Sequence, residues 1–208
     1  MLTETTIAGL LLVCLGCFFS VNLHNVLRMH KHDNNRRSHA EIKRPSGPTI
    51  DLAALGTLAY FAETLSYSFL VFTNTFSLPD NFPFRIQFAF ILYSQIVGII
   101  LTTTGQFLFI WSVIARGKYA VSWEIRDNHR LVTWGPYYYV RHPSYLAYFL
   151  MFIGFFALLP SVLTLIPLAA IPGYYRVTLK EEELLTTRFG NEYEKYQKKT
   201  GRFIPKLR

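Results

Sequence analysis

The chain has 208 residues, 51% of them hydrophobic and only 16% charged, against about 25% charged in ordinary soluble domains. That balance excludes a soluble domain, because so short a chain cannot hide this much apolar surface in one core. The net charge of +8 does not point to nucleic acid, since the basic residues are interleaved with apolar runs; anionic lipid headgroups are the expected partner.

The first apolar run, Ile7 to Leu27, makes a helix about 30 Å long, enough to cross a bilayer. Cys14 and Cys17 lie inside it. With no second pair and no polar setting they read as helix packing rather than a redox or metal motif, and no metal site is expected. No basic residue precedes the run and its far end is strongly basic, the pattern of a retained signal anchor. A basic loop, 28–49, follows. The second run is Ile50 to Phe76, with Glu63 at its middle in "YFAETLSY". A carboxylate at that depth is costly and often functional. It either faces a substrate cavity or pairs with Gln95 or Gln106 of the third run, Ile86 to Ile114.

The fourth run, Leu146 to Tyr175, has thirty positions without a charge. It is long for one span and short of the roughly 40 residues that two full spans need. Pro160-Ser161 falls at its middle, where a turn belongs. Charge settles the count. Segment 28–49 carries six Lys/Arg, segment 115–143 carries five and the tail from Arg176 carries nine, while the loop between the second and third runs has only Arg85. All but Arg85 share one side only if the last run is a helical hairpin. The expected architecture is therefore all-α and polytopic, with about five transmembrane helices, the last two a short hairpin, the N-terminus outside and the C-terminus in the cytoplasm. Three N-terminal helices occupy 1–114. A core occupies 115–208: a loop at 115–143, the hairpin at 144–176 and cytoplasmic helices at 177–208.

Such a hairpin brings two polar clusters to one membrane face. The first is "WEIRDNHRLVTWGPYYYVRHPSY", Trp123 to Tyr145. Asp127-Asn128 and Gly135-Pro136 read as turns, and Pro143 after Arg141-His142 suits a helix start. Composition alone also allows an interfacial anchor of Tyr, Trp and Arg. The second is "KEEELLTTRFGNEYEKYQKKTGRFIP". Gly190 reads as a helix end, and Asn191 with Glu194 as an N-cap with its capping-box acid. Glu181, Glu182 and Glu183 cannot all face one site, since helical neighbours are about 100° apart.

Gly135-x-Tyr137-x3-Arg141-His142-Pro143-x-Tyr145, preceded by His129-x-Leu131-Val132, resembles the core motif of isoprenylcysteine carboxyl methyltransferases. The resemblance extends to Glu181-Glu182, Phe189-Gly190, Glu192-Tyr193, Tyr196 and the closing Arg202-Phe203-Ile204-Pro205. It covers the chain from Trp123 onward and is nearest to the small archaeal and bacterial members.

The resemblance implies methyl transfer from S-adenosylmethionine, leaving S-adenosylhomocysteine, to a lipid-linked or prenylated acceptor at a cytoplasmic site. His129, Leu131 and Val132 would line the cofactor, Tyr137 would pack on it, and His142, Pro143, Ser144 and Tyr145 would hold its polar end. Glu181, returning after the hairpin, would close the pocket. No Gly-rich turn follows a strand pattern, so the Rossmann route to this cofactor is absent. The family places a substrate-contacting arginine four residues before the matching glutamate. Here that position is Val177, and Arg176 is one residue away, turned by about 100°. Arg176 and Glu63 are the candidate acceptor contacts. No side chain presents itself as a dedicated catalytic base, which favours an acceptor already ionised, a carboxylate rather than an amine. Phospholipid N-methylation, an NADPH-dependent sterol-type reductase and a non-catalytic lipid-binding protein are the rival readings.

Overall fold

A computed structural model describes residues 1–33, 41–42, 47–74, 86–117, 124–125 and 130–206. Six α-helices carry the described fold: α1 Glu4–Asp33, α2 Pro48–Phe72, α3 Ile91–Arg116, α4 Pro143–Leu158, α5 Ala170–Phe189 and α6 Asn191–Lys199. Two-residue strands, β1 Glu41–Ile42 and β2 Glu124–Ile125, pair antiparallel and are the exception to the all-α expectation. Three helical stretches, Glu4–Arg28, Pro48–Phe72 and Ile91–Arg116, are long and apolar enough to cross a membrane. Their outward residues are large and apolar; on α2, Leu55, Leu58 and Phe69 are more than 60% exposed, as lipid-facing side chains are.

The apolar fourth run does bend back. α4 has 16 residues, about 24 Å of helix. It ends at Leu158, just before Pro160, whose missing N–H suits a break. Ser161 and Thr164 close the turn with reciprocal backbone-to-hydroxyl bonds of 3.2 Å. Two 3₁₀ turns, Leu163–Leu165 and Pro167–Ala169, then lead into α5. The turn also shortens α3. Ile86 donates its N–H to Pro160 O at 2.9 Å, so this segment is held by the hairpin instead of joining the helix, and α3 starts at Ile91.

Small residues let these helices approach closely, the usual basis of packing inside membranes. A Cβ on Gly98 would lie 2.7 Å from Leu158 N, and one on Gly105 would lie 2.8 Å from Ala147 O, so α3 and α4 meet backbone to backbone. Gly56 of α2 sits against Ala170 of α5 in the same way. Between these contacts lies an aromatic layer. Tyr60 meets Phe152 and Phe155 edge-on at 5.4 and 5.2 Å, and Phe18 stacks on Phe109 at 4.5 Å.

Gly190 ends α5 with φ 50°, a conformation glycine adopts without penalty. It is also the N-cap of α6, accepting from Glu194 N–H at 3.1 Å. Asn191 is thus the first helical residue, and the expected capping box does not form.

Candidate active site

The segment leading into α4 is held by the segment leaving α6. Arg141 N–H donates to Gly201 O at 2.8 Å and His142 N–H to Arg202 O at 3.1 Å, beside a parallel bridge between Val140 and Gly201. Tyr196 on α6 donates its hydroxyl to Tyr137 O at 2.6 Å. His142 is the N-cap of α4, its carbonyl accepting from Leu146 N–H at 3.0 Å. Pro143, the first helical residue, is buried, where a proline costs no hydrogen bond.

α5 returns two carboxylates to this junction. Glu182 is 5% exposed and accepts from Arg141 Nε at 2.8 Å, Arg202 Nη2 at 2.6 Å and His142 Nε2 at 3.0 Å. The Arg141 guanidinium also donates to the carbonyls of Gln197 and Thr200. Burial alone would push the Glu182 carboxyl up, but hydrogen bonds from His142, Arg202 and Arg141 outweigh it and hold it well below the usual carboxylate range. Glu181 faces the other way. Its Oε1 accepts from Tyr145 OH at 2.6 Å, and its Oε2 lies 3.5 Å from His142 Nδ1. His142 therefore stands between two carboxylates, one on each ring nitrogen, an arrangement that the doubly protonated ring satisfies. Burial works against that charge, yet the bonds to Glu181 and Glu182 prevail and raise the His142 pKa.

This junction floors a cavity of about 470 Å³, within the usual range of small-molecule sites, about 300–1,000 Å³. Its polar end is formed by Arg116, Tyr137, His142, Ser144, Tyr145 and Glu181; Phe109, Val113, Tyr148 and Val177 make it apolar toward the bundle. Arg116 Nη2 donates to Ser144 Oγ at 3.2 Å, and Ser144 shares a 2.7 Å bond with Ser112. Arg116 Nε and the Tyr193 hydroxyl are buried at this cavity without a hydrogen-bond partner among the described residues.

Of the residues singled out from the sequence, Leu131, Val132, Tyr137, His142, Ser144, Tyr145 and Glu181 meet around this cavity. Pro143 starts the helix and does not line it. His129 lies outside the described residues. Arg176 is exposed while Val177 forms part of the wall, so the register that casts doubt on Arg176 removes it from the cavity. Glu63 lies in the other half of the bundle. The sequence reading missed Glu182 as the hub and Arg116 as a wall residue. Both had a signal. The buried residues of α5, Gly173, Val177, Thr178 and Glu182, recur at helical spacing and phase Glu182 inward. Phe109, Val113 and Arg116 recur at intervals of four and three along α3.

Residues 97–187, from α3 to the end of α5, match the model of the isoprenylcysteine carboxyl methyltransferase (ICMT) family. That match takes in 91 of the 208 residues, less than half of the chain. Protein-S-isoprenylcysteine O-methyltransferase of Schizosaccharomyces pombe is 32% identical over 144 residues, covering 66% of this chain and 59% of the relative. The Xenopus laevis protein of the same name is 32% identical over 120 residues, 55% of this chain and 42% of its own. A nickel-cobalt-cadmium resistance protein, NccN, of Alcaligenes xylosoxydans is 31% identical over 108 residues, 51% of each chain. The chain thus spans about half the length of these relatives. The fold is shared with a solved eukaryotic intramembrane Ras methyltransferase ICMT, at a TM-score of 0.50 and 23% identity over 94% of this chain and 67% of that one. With this fold and three apolar helices of spanning length, the chain is an integral membrane protein.

Proposed function

We propose that the protein is an S-adenosylmethionine-dependent methyltransferase that acts on a lipid-linked acceptor, by carboxyl O-methylation of the isoprenylcysteine type. The observation that carries this reading is one cavity, lined for the most part by the family-matched region, with charged and apolar residues in its walls. A polar cofactor and a greasy acceptor need such a place to meet.

The donor set suits the cofactor's amino-acid end. Glu181 offers a carboxylate to an ammonium, while the unpartnered Arg116 Nε and the Tyr193 hydroxyl offer donors to a carboxylate. Leu131, Val132 and Tyr137 line the remaining wall. When bound, S-adenosylmethionine supplies a methyl group made electrophilic by its sulfonium. The protein's part is to orient both partners and exclude water. Tyr145 fixes Glu181, and Ser112 and Ser144 fix Arg116, so the charged groups are set before a ligand arrives. His142 has both ring nitrogens committed to carboxylates, which leaves it unsuited to act as a base. That favours an acceptor that is ionised at neutral pH, a carboxylate, over an amine that must lose a proton.

The charge distribution supports a site on the cytoplasmic side, with the N-terminus outside and α4 with the start of α5 as a short re-entrant or spanning pair, five membrane helices in all. Membrane lipids and the prenylated or otherwise lipid-linked acceptor are the partners.

The test is calorimetry of S-adenosylhomocysteine on detergent-purified protein, with His142→Ala and Glu181→Ala beside the wild type, and methyl transfer to an N-acetylated S-prenylcysteine. Micromolar binding that is lost in both variants, with turnover of the prenylcysteine, is expected. A folded wild type that binds NADPH and not S-adenosylhomocysteine would overturn the reading.

A further inference from the structure

Glu63 sits midway along α2, and its Oε2 is buried with no hydrogen-bond partner among the described residues. Gln95 and Thr164, which line the same cavity, are engaged elsewhere. Gln95 accepts from Leu2 N–H at 2.8 Å and donates to Leu158 O at 3.5 Å. Thr164 donates to Leu159 O at 2.7 Å and shares a bond with Ser161. The expected pairing with Gln95 or Gln106 does not form; Gln106 lies about 16 Å further along α3.

Glu63 instead lines a second cavity, of about 340 Å³. The start of α1, the second half of α2 and the hairpin turn enclose it, and it shares no lining residue with the first. Tyr60 and Phe152 close the bundle between the two. The walls are hydrocarbon, with Ile7, Leu70, Phe155, Leu159 and Leu163 among them, and Glu4 adds a second acid.

A carboxylate in such a setting is disfavoured unless a proton or a cation neutralises it. The terminal ammonium of Met1 also lines the cavity, but one ammonium faces two acids, Glu4 and Glu63, and Glu63 Oε2 has no hydrogen-bond partner among the described residues. An alkyl chain that ends in one ammonium supplies apolar atoms for the walls and a counter-charge for Glu63. A fatty acid brings a like charge, and an alcohol brings only a neutral hydrogen bond. We infer that this cavity binds a membrane-dissolved amphiphilic amine, at a site separate from the candidate active site and independent of the methyltransferase reading.

Competition binding with radiolabelled dodecylamine, using dodecanol and dodecanoate as competitors, tests this on the full chain in nanodiscs. The wild type should bind dodecylamine roughly ten-fold tighter than dodecanol, the margin of a charge-assisted over a neutral bond. Glu63→Gln should abolish that preference and leave S-adenosylhomocysteine binding unchanged. Ala62→Phe, which fills the cavity and keeps the carboxylate, should weaken all the C12 ligands. Equal binding of amine and alcohol by the wild type, or a preference that survives Glu63→Gln, would overturn the proposal. If Glu63→Gln does not fold, the wild-type comparison and Ala62→Phe decide it.

Discussion

His142 and Glu182 are 40 residues apart in the chain and 3.0 Å apart in the structure. The run from Leu146 to Tyr175 between them carries no charge, so this contact joins the two polar clusters across an apolar excursion. Three cationic side chains converge on the one carboxylate.

Removing that carboxylate leaves Arg141 without its carboxylate partner among the described residues and His142 with Glu181 alone among them. Glu182→Ala should cost about 3–5 kcal/mol, the usual price of orphaning a buried charge. Thermal unfolding in detergent should show a large drop, and Glu182→Gln, which keeps an acceptor for one donor, should fall between.

The same cluster sets a pH window. The His142 pKa is raised by its carboxylates despite burial, so its contribution is complete below the unfolded value of about 6.5 and is lost as pH rises through the higher folded value. The Glu182 carboxyl is depressed; its contribution is present above the unfolded value of about 4.3 and is lost as pH falls toward its folded value. A profile of unfolding temperature against pH should decline on the alkaline side for the wild type and lose that decline in His142→Gln.

Arg116 presents a planar guanidinium whose buried Nε has no hydrogen-bond partner among the described residues. Arg116→Lys keeps the charge and loses the fork. S-adenosylhomocysteine affinity or the Michaelis constant for the acceptor should weaken by roughly ten-fold. Titrating each ligand separately shows which of the two carboxylates Arg116 serves.

Gly105 leaves no room for a side chain between α3 and α4. Gly105→Val should destabilise by about 1–3 kcal/mol or more through overpacking. Since α3 also carries Arg116, cofactor affinity should fall with stability, measured as thermal shift and calorimetry on the same preparation.

The features legible in the sequence are those set by local chemistry. Pro143 and Pro160 mark a helix start and a turn because proline lacks a donor, and Gly190 marks a break because of its φ. The meeting of His142 with Glu181 followed from counting charges on either side of one apolar run. What stayed hidden depends on phase and on distant partners. Three consecutive glutamates do not by themselves say which faces inward; the phase is carried by Gly173, Val177 and Thr178 before them, which pack inward with Glu182. Asn191 has the composition of a cap, but Gly190 already occupies that place. Ile86 reads as helix and is held by a carbonyl of Pro160, 74 positions away.

The clasp between Arg141-His142 and Gly201-Arg202 also has a meaning for how the protein is made. A chain leaves the ribosome from its N-terminus. The spans and the hairpin can enter lipid before the clasp's second half has left the ribosome, and through that interval the His142 backbone lacks its acceptor and Glu182 lacks Arg202. Insertion is then directed by hydrocarbon, and completion of the pocket by a few polar residues that follow the hairpin.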